Sequence, residues 1–185
     1  MDATPSVTRQ LWILRHAETV PGTPSGTRDR DRPLTGRGRE DAAALGARLA
    51  AGGPVLGSPD LVLPTVALCS AALRTRQTAE TVLGRLGDRV RLETYMSLYS
   101  AEPPTVLAYV RELDDDPPAV LVIGHNPTVS HLAFDLVAEA APERAELASQ
   151  RLGTCSLAVV DLAVTAWAEV TNGCGMLVAR FTPPY

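Results

Sequence analysis

Three apolar runs in this sequence stop at residues that can do chemistry. Leu11-Trp12-Ile13-Leu14 is followed by Arg15-His16, and Ala119 to Gly124 by His125-Asn126. Val66-Ala67-Leu68-Cys69-Ser70 leads within a few residues to Arg74 and Arg76. A run of large apolar residues without period-2 alternation reads as a strand buried on both faces. Charged or half-charged groups cannot follow it inside without partners, so each run ends where the chain opens into a crevice. If the three ends are neighbours, the crevice gathers His16, His125, Arg15, Arg74 and the N-terminus of the helix opened by Asn126-Pro127. That set suits a phosphate. Guanidinium forks bind its oxygens in pairs, and a helix end adds N–H donors and a favourable dipole.

Other chemistries fit less well. The stretch GTPSGTR (22–28) has the glycines of a phosphate loop but not the G-K-[ST] ending. His16, His125 and His131 show no i, i+4 spacing of a zinc site, and neither a metal nor a cofactor is expected. Arg76 reads as a surface residue, and His131, inside a helix, as structural.

The elements that position these residues alternate along the chain. Residues 1–9 read as a loose tail, 10–14 as a strand, and 18–33 as a breaker-rich loop that frames a site. Thr35 is a candidate N-cap for a helix ended by Gly52-Gly53. Strands are expected at 66–70, 89–93 and 119–124, and helices over 71–87, 103–116 and from Asn126-Pro127 to about Glu139. A final pair of strands is expected within 153–170, while 139–151 reads either as a helix shielding the crevice or as a loop. Asp114-Asp115-Asp116 reads as a solvated helix end. This alternation implies an α/β fold: a three-layer domain with a mostly parallel central sheet flanked by helices and antiparallel strands near the C-terminus. Residues 10–185 read as a single domain.

Composition narrows the partners. The 185 residues carry a net charge of −4 and are 4% aromatic, which argues against nucleic acid. No apolar run reaches the length of a membrane span, and the first residues lack a signal-peptide pattern. Cys69, Cys155 and Cys174 are odd in number and far apart, which reads as buried reduced thiols in a cytoplasmic protein.

The stretches LRHAET, RPLTGRGRED, CSAALRTRQTAE and LVIGHNPTVSHLA, in that order across 10–137, resemble the histidine phosphatase superfamily, also called phosphoglycerate mutase-like. Ala17, where the mutase branch has glycine, and the short chain are similar to the SixA-type phosphohistidine phosphatase branch. The resemblance implies that His16 is the nucleophile, forming a transient phosphohistidine, and that Arg15, Arg74 and His125 hold the phosphoryl oxygens. Arg32, just before Pro33-Leu34-Thr35, is a fourth candidate contact. Many relatives protonate the leaving oxygen with a glutamate, where this chain has Ser100 after Leu98-Tyr99. Glu93, Glu102 and Glu18 remain candidate acids. A missing acid favours a labile P–N bond, so protein phosphohistidine is the implied substrate. The alternatives are a small phosphomonoester, such as a sugar or nucleotide phosphate, or a catalytically idle binding module. An attacking histidine must be neutral, so activity is expected to fall on the acid side of about pH 6.5.

Overall fold

The computed structural model describes residues 9–22, 26–52 and 61–185. Its order is β1 (Arg9–Arg15), α1 (Gly36–Ala51), β2 (Val66–Ser70), α2 (Leu73–Leu83), β3 (Arg91–Tyr95), α3 (Pro103–Arg111), β4 (Ala119–Gly124), α4 (Thr128–Leu136), α5 (Pro142–Ser149), β5 (Leu157–Leu162) and β6 (Gly175–Phe181). The strands form one sheet in the order β3-β2-β4-β1-β5-β6. The first four are mutually parallel, while β5 and β6 run antiparallel to their neighbours.

The continuous apolar runs are explained by helices on both faces. Leu11, Ile13, Leu68, Val120 and Val122 enter one core with α3, α4 and Trp167. Their sequence neighbours Trp12, Leu14, Cys69, Leu121 and Ile123 enter the other with α1 and α2. Side chains alternate across a strand, so a strand between two cores needs apolar residues at every position. At the edge, β3 is mostly exposed and carries Arg91 and Glu93, which blunt edge-to-edge pairing.

Local signals set the helix ends. The Thr35 side chain caps α1 by accepting from the Gly38 N–H at 2.9 Å, and Gly52 ends it at φ +60°. Gly38 has a second role. A Cβ there would stand 2.2 Å from the Glu18 carbonyl oxygen, so its lack of a side chain lets α1 pack against the segment after β1.

Several expected boundaries change. Arg9 belongs to β1 rather than to a tail, because its guanidinium pairs with Asp116 (Nη2–Oδ2 2.6 Å, Nε–Oδ1 3.1 Å) and donates to the Thr165 carbonyl at 2.8 Å. Asp116 is therefore more than a solvated helix end. The third strand starts at Arg91, after a 3-10 turn at Gly87–Arg89. The expected helices shorten to Leu83, Arg111 and Leu136. Within the expected C-terminal pair only β5 forms, and its partner β6 lies further on. Residues 167–169 make a 3-10 turn instead, since Trp167 is buried and its indole N–H donates to the Pro117 carbonyl at 2.7 Å. The 139–151 run forms α5, whose Arg144 donates to the Phe134 carbonyl at 3.2 Å at the end of α4. Gly53 and the middle of the 22–28 stretch lie outside the described residues.

Candidate active site

Because β4 lies between β1 and β2, three strand ends meet. Arg15 is level with Gly124, and Cys69 with Ile123. The backbone at His16 is clamped from both sides: its N–H donates to the Gly124 carbonyl at 3.1 Å, and its carbonyl accepts from the Cys155 N–H at 3.0 Å. The Ala17 N–H donates to Thr78 Oγ1 at 3.0 Å, tying the strand end to α2.

The His16 ring has one defined tautomer. Its Nδ1 lies 2.8 Å from the Ala17 carbonyl oxygen, which can only accept, so Nδ1 carries the proton and a neutral ring leaves the Nε2 lone pair bare. Burial, reinforced by the charges of Arg74, Arg15 and Arg32, lowers its pKa to about 4 against the opposing pull of the Ala17 carbonyl.

His125 has the opposite tautomer. The Arg74 Nε–H can only donate, and it meets His125 Nδ1 at 3.2 Å. The His125 proton therefore sits on Nε2, which donates to Ser70 Oγ at 2.8 Å. Burial, then His16 and Arg74, lower the His125 pKa to about 3. The ring centroids of His16 and His125 are 5.3 Å apart.

The two arginines differ in how they are held. Arg15 donates through Nη1 to the Leu152 carbonyl at 3.0 Å, which also accepts from Asn126 Nδ2 at 2.8 Å. Arg15 Nε is buried with no hydrogen-bond partner among the described residues, and burial lowers its pKa. Arg74, only 8% exposed, also donates from Nη1 to the Asp29 carbonyl at 2.9 Å and from Nη2 to Asp29 Oδ2 at 3.2 Å. The same carboxylate accepts from Tyr99 Oη–H at 2.8 Å and from Arg32 Nη1 at 3.0 Å. Those bonds from Tyr99 and Arg32 hold the Asp29 carboxyl down at about 2.

The fold thus brings Arg15, His16, Arg74 and His125 together. Arg32 is committed to its own loop: it donates to Thr19 Oγ1 and the Val20 carbonyl, each at 2.7 Å, as well as to Asp29. Among the described residues, none of the three candidate acids hydrogen-bonds to the four residues of the cluster. Glu93 pairs with Arg91 at 2.8 Å and accepts from Tyr95 at 2.5 Å; Glu18 accepts from Thr35 at 2.8 Å; Glu102 is exposed before α3. Arg76 and His131 are both exposed. Cys69 and Cys155 are buried and their thiol pKa values are pushed up to about 12, whereas Cys174 is only partly buried. A polar cleft of about 390 Å³, lined by Glu18, Arg37, Arg151, Ser156 and Arg180 among others, adjoins the end of β1.

Sequence reasoning missed Asp29, Tyr99, Ser70 as the partner of His125, and the Leu152 carbonyl. Asp29 lies in the loop expected to frame a site, and Tyr99 beside Ser100, so both stood in stretches already singled out. Among the described residues no group of three His, Cys, Asp or Glu side chains is placed to hold a metal ion, and no helix is long and apolar enough to cross a membrane.

The histidine phosphatase superfamily (branch 1) profile matches residues 11–97. An uncharacterized protein of Mycobacterium tuberculosis is 34% identical over 172 residues, which cover 92% of this chain and 99% of that protein. A structure from Nakamurella multipartitia described as a phosphohistidine phosphatase SixA superposes with TM-score 0.77 at 29% identity, covering 96% of this chain and 98% of that one. One from Agrobacterium tumefaciens, described in the same terms, gives TM-score 0.74 at 25% identity, over 98% and 100% of the two chains. The chain belongs to the histidine phosphatase superfamily. It is a phosphatase.

Proposed function

We propose that the phosphoryl group passes through His16, in a metal-independent reaction on protein-borne phosphohistidine carried out by residues 10–185 as one catalytic domain. The observation that carries the mechanism is the His16 tautomer. Its proton is held on Nδ1 by the Ala17 carbonyl, its neutral state is enforced by burial and three arginines, and its Nε2 lone pair is left for attack on phosphorus. The new N–P bond forms as the bond to the leaving group breaks, and water then releases phosphate from phospho-His16. Arg15 and Arg74 stabilise the charge that grows on the phosphoryl oxygens. For Arg15 this also supplies an acceptor to a buried N–H that has none among the described residues. His125 can reach an oxygen through Nε2–H by sharing the proton it now gives Ser70.

The substrate class is supported by the missing acid. An alkoxide is a poor leaving group and needs a proton, worth typically 10²–10⁴-fold in rate. Glu18 is engaged by Thr35, Glu93 by Arg91 and Tyr95, Glu102 is exposed just before α3, and Asp29 is held ionised. A P–N bond makes no such demand. The SixA descriptions of two similar structures point the same way.

The test is phosphate release from a phosphohistidine-bearing protein, wild type against His16→Ala, with an aryl phosphate in parallel and EDTA as a control. The wild type should discharge phosphohistidine far faster than the ester, EDTA should change nothing, and the variant should be inactive on both. Faster turnover of one small phosphomonoester would move the assignment to that class. Loss of activity in EDTA would end the metal-independent mechanism.

A further inference from the structure

We infer that Asp29 selects the leaving group, accepting a hydrogen bond from the protonated ring nitrogen of a departing imidazole. This rests on the phosphohistidine reading above. Asp29 sits in the 3-10 turn Asp29–Asp31 and is locked to the site rather than trailing from it. Arg74, which binds His125 through Nε, holds both the Asp29 carbonyl and its carboxylate.

A count of donors shows what is left. An ionised carboxylate offers about four lone-pair sites. Oδ2 accepts from Arg74 and Tyr99, and Oδ1 from Arg32, which uses three. The side chain is still 47% exposed, so among the described residues one acceptor site remains for a ligand. Among the described residues, the groups facing this carboxylate are Arg32 from its own loop, Arg74 from α2, Tyr99 from the Met96–Tyr99 turn and, beyond Arg74, His125. Arg32, Arg74 and Tyr99 all donate to it. In this state it can accept a proton-bearing group and has no proton to give.

That property discriminates between leaving groups. An alkyl or aryl phosphate brings no N–H and gains nothing from a fixed anion beside its own negative oxygens. A phosphohistidine ring protonated on its free nitrogen brings a charge-assisted donor. In the step itself, His16 Nε2 forms a bond to phosphorus while the substrate P–N bond breaks. The bonding pair returns to the leaving nitrogen, and the ring departs as neutral imidazole with its proton still on the other nitrogen. No acid has to act at the leaving atom. Asp29 instead favours the ring form that can leave without one.

The experiment compares kcat/KM on a phosphohistidine peptide and on p-nitrophenyl phosphate, for the full chain and for Asp29→Asn, which preserves size and polarity. The ratio of the first to the second should fall about ten-fold or more in the variant, the size of one charge-assisted hydrogen bond. Asp29→Ser, which cannot present an anion, should lower the ratio as well. A preserved ratio, with both rates falling in step, would overturn the inference and leave Asp29 as a residue that positions Arg74. That outcome differs from failure of the substrate reading, in which the wild type itself would not discharge the phosphohistidine peptide.

Discussion

β1 carries an arginine at each end, and the two are satisfied in opposite ways. At the amino end, Arg9 is 8% exposed and makes three hydrogen bonds, two to the Asp116 carboxylate and one to the Thr165 carbonyl. At the carboxyl end, among the described residues, the Arg15 guanidinium makes one, to the Leu152 carbonyl, and its Nε is buried without a partner. A buried cation that leaves no buried N–H unpaired holds a fold together. One that leaves such a group unpaired costs stability, and an anion relieves that cost. Helices cover both faces of the strand, so the difference lies in what its two ends meet.

Exchanging each arginine for alanine should separate the two roles. Arg15→Ala should lower kcat/KM on the best substrate by about 10²–10³-fold, as for loss of a transition-state donor, with the melting temperature kept or raised. Arg9→Ala should do the reverse, costing about 1–3 kcal/mol, or several degrees of melting temperature, with turnover per folded molecule retained. Steady-state kinetics and thermal melts on both variants decide it, and equal effects would erase the contrast.

Oxyanion binding gives the next largest effect. Vanadate at about 100 times its dissociation constant should stabilise the wild type by about 2.7 kcal/mol. Melting of Arg15→Ala should shift much less at the same concentration, while Arg9→Ala should respond as the wild type does. A full response in Arg15→Ala would show that the anion does not use the carboxyl end of β1.

The pH profile tests the histidines. With the His16 pKa lowered to about 4, the acid limb of kcat/KM should fall near pH 4 rather than near the ordinary histidine value of about 6.5. A limb at 6.5 would mean that His16 is not held neutral by the site. Stability follows the same sign. His16 and His125 both have folded pKa values below the unfolded one, at about 4 and about 3. The unfolded chain therefore binds more protons as pH drops below 6.5. Their contribution is present above that pH and is lost between about 6.5 and 3. Melting temperatures across this range should fall less steeply in His125→Asn.

The smallest effect should come from Ser70→Ala, which removes the acceptor of the His125 proton. Turnover should drop about three- to ten-fold, as expected for one neutral hydrogen bond. A loss as large as that of Arg15→Ala would give Ser70 a direct contact with the reacting group.

The outcome for individual residues shows why some of this was legible in the chain. Arg15-His16 and His125 stood out because each ends a run of apolar side chains, and burial on both faces leaves no other place for a polar group. Thr35 as a cap and the two helical layers follow from equally local rules. β6 did not stand out, because an edge strand half open to solvent, with Met176 54% exposed, lacks the continuous run that marked β1 and β4. Asp29 and Tyr99 were hidden for another reason. They act on each other across 70 residues of chain, and nothing in either segment encodes their meeting.

The order and type of residues alone were enough for the α/β architecture, the family resemblance, and the gathering of His16, His125, Arg15 and Arg74. Those depend on apolar periodicity and on the rule that ligands meet the carboxyl ends of strands, both carried by contiguous segments. The protonation states and the division of labour among polar groups depended on the folded arrangement. Which nitrogen of each histidine bears the proton is set by the Ala17 carbonyl and by Arg74, and whether a carboxylate can act as an acid is set by Tyr99 and Arg32. Hydrogen bonds and desolvation act over a few ångströms of space, and only the folded chain brings those partners within reach.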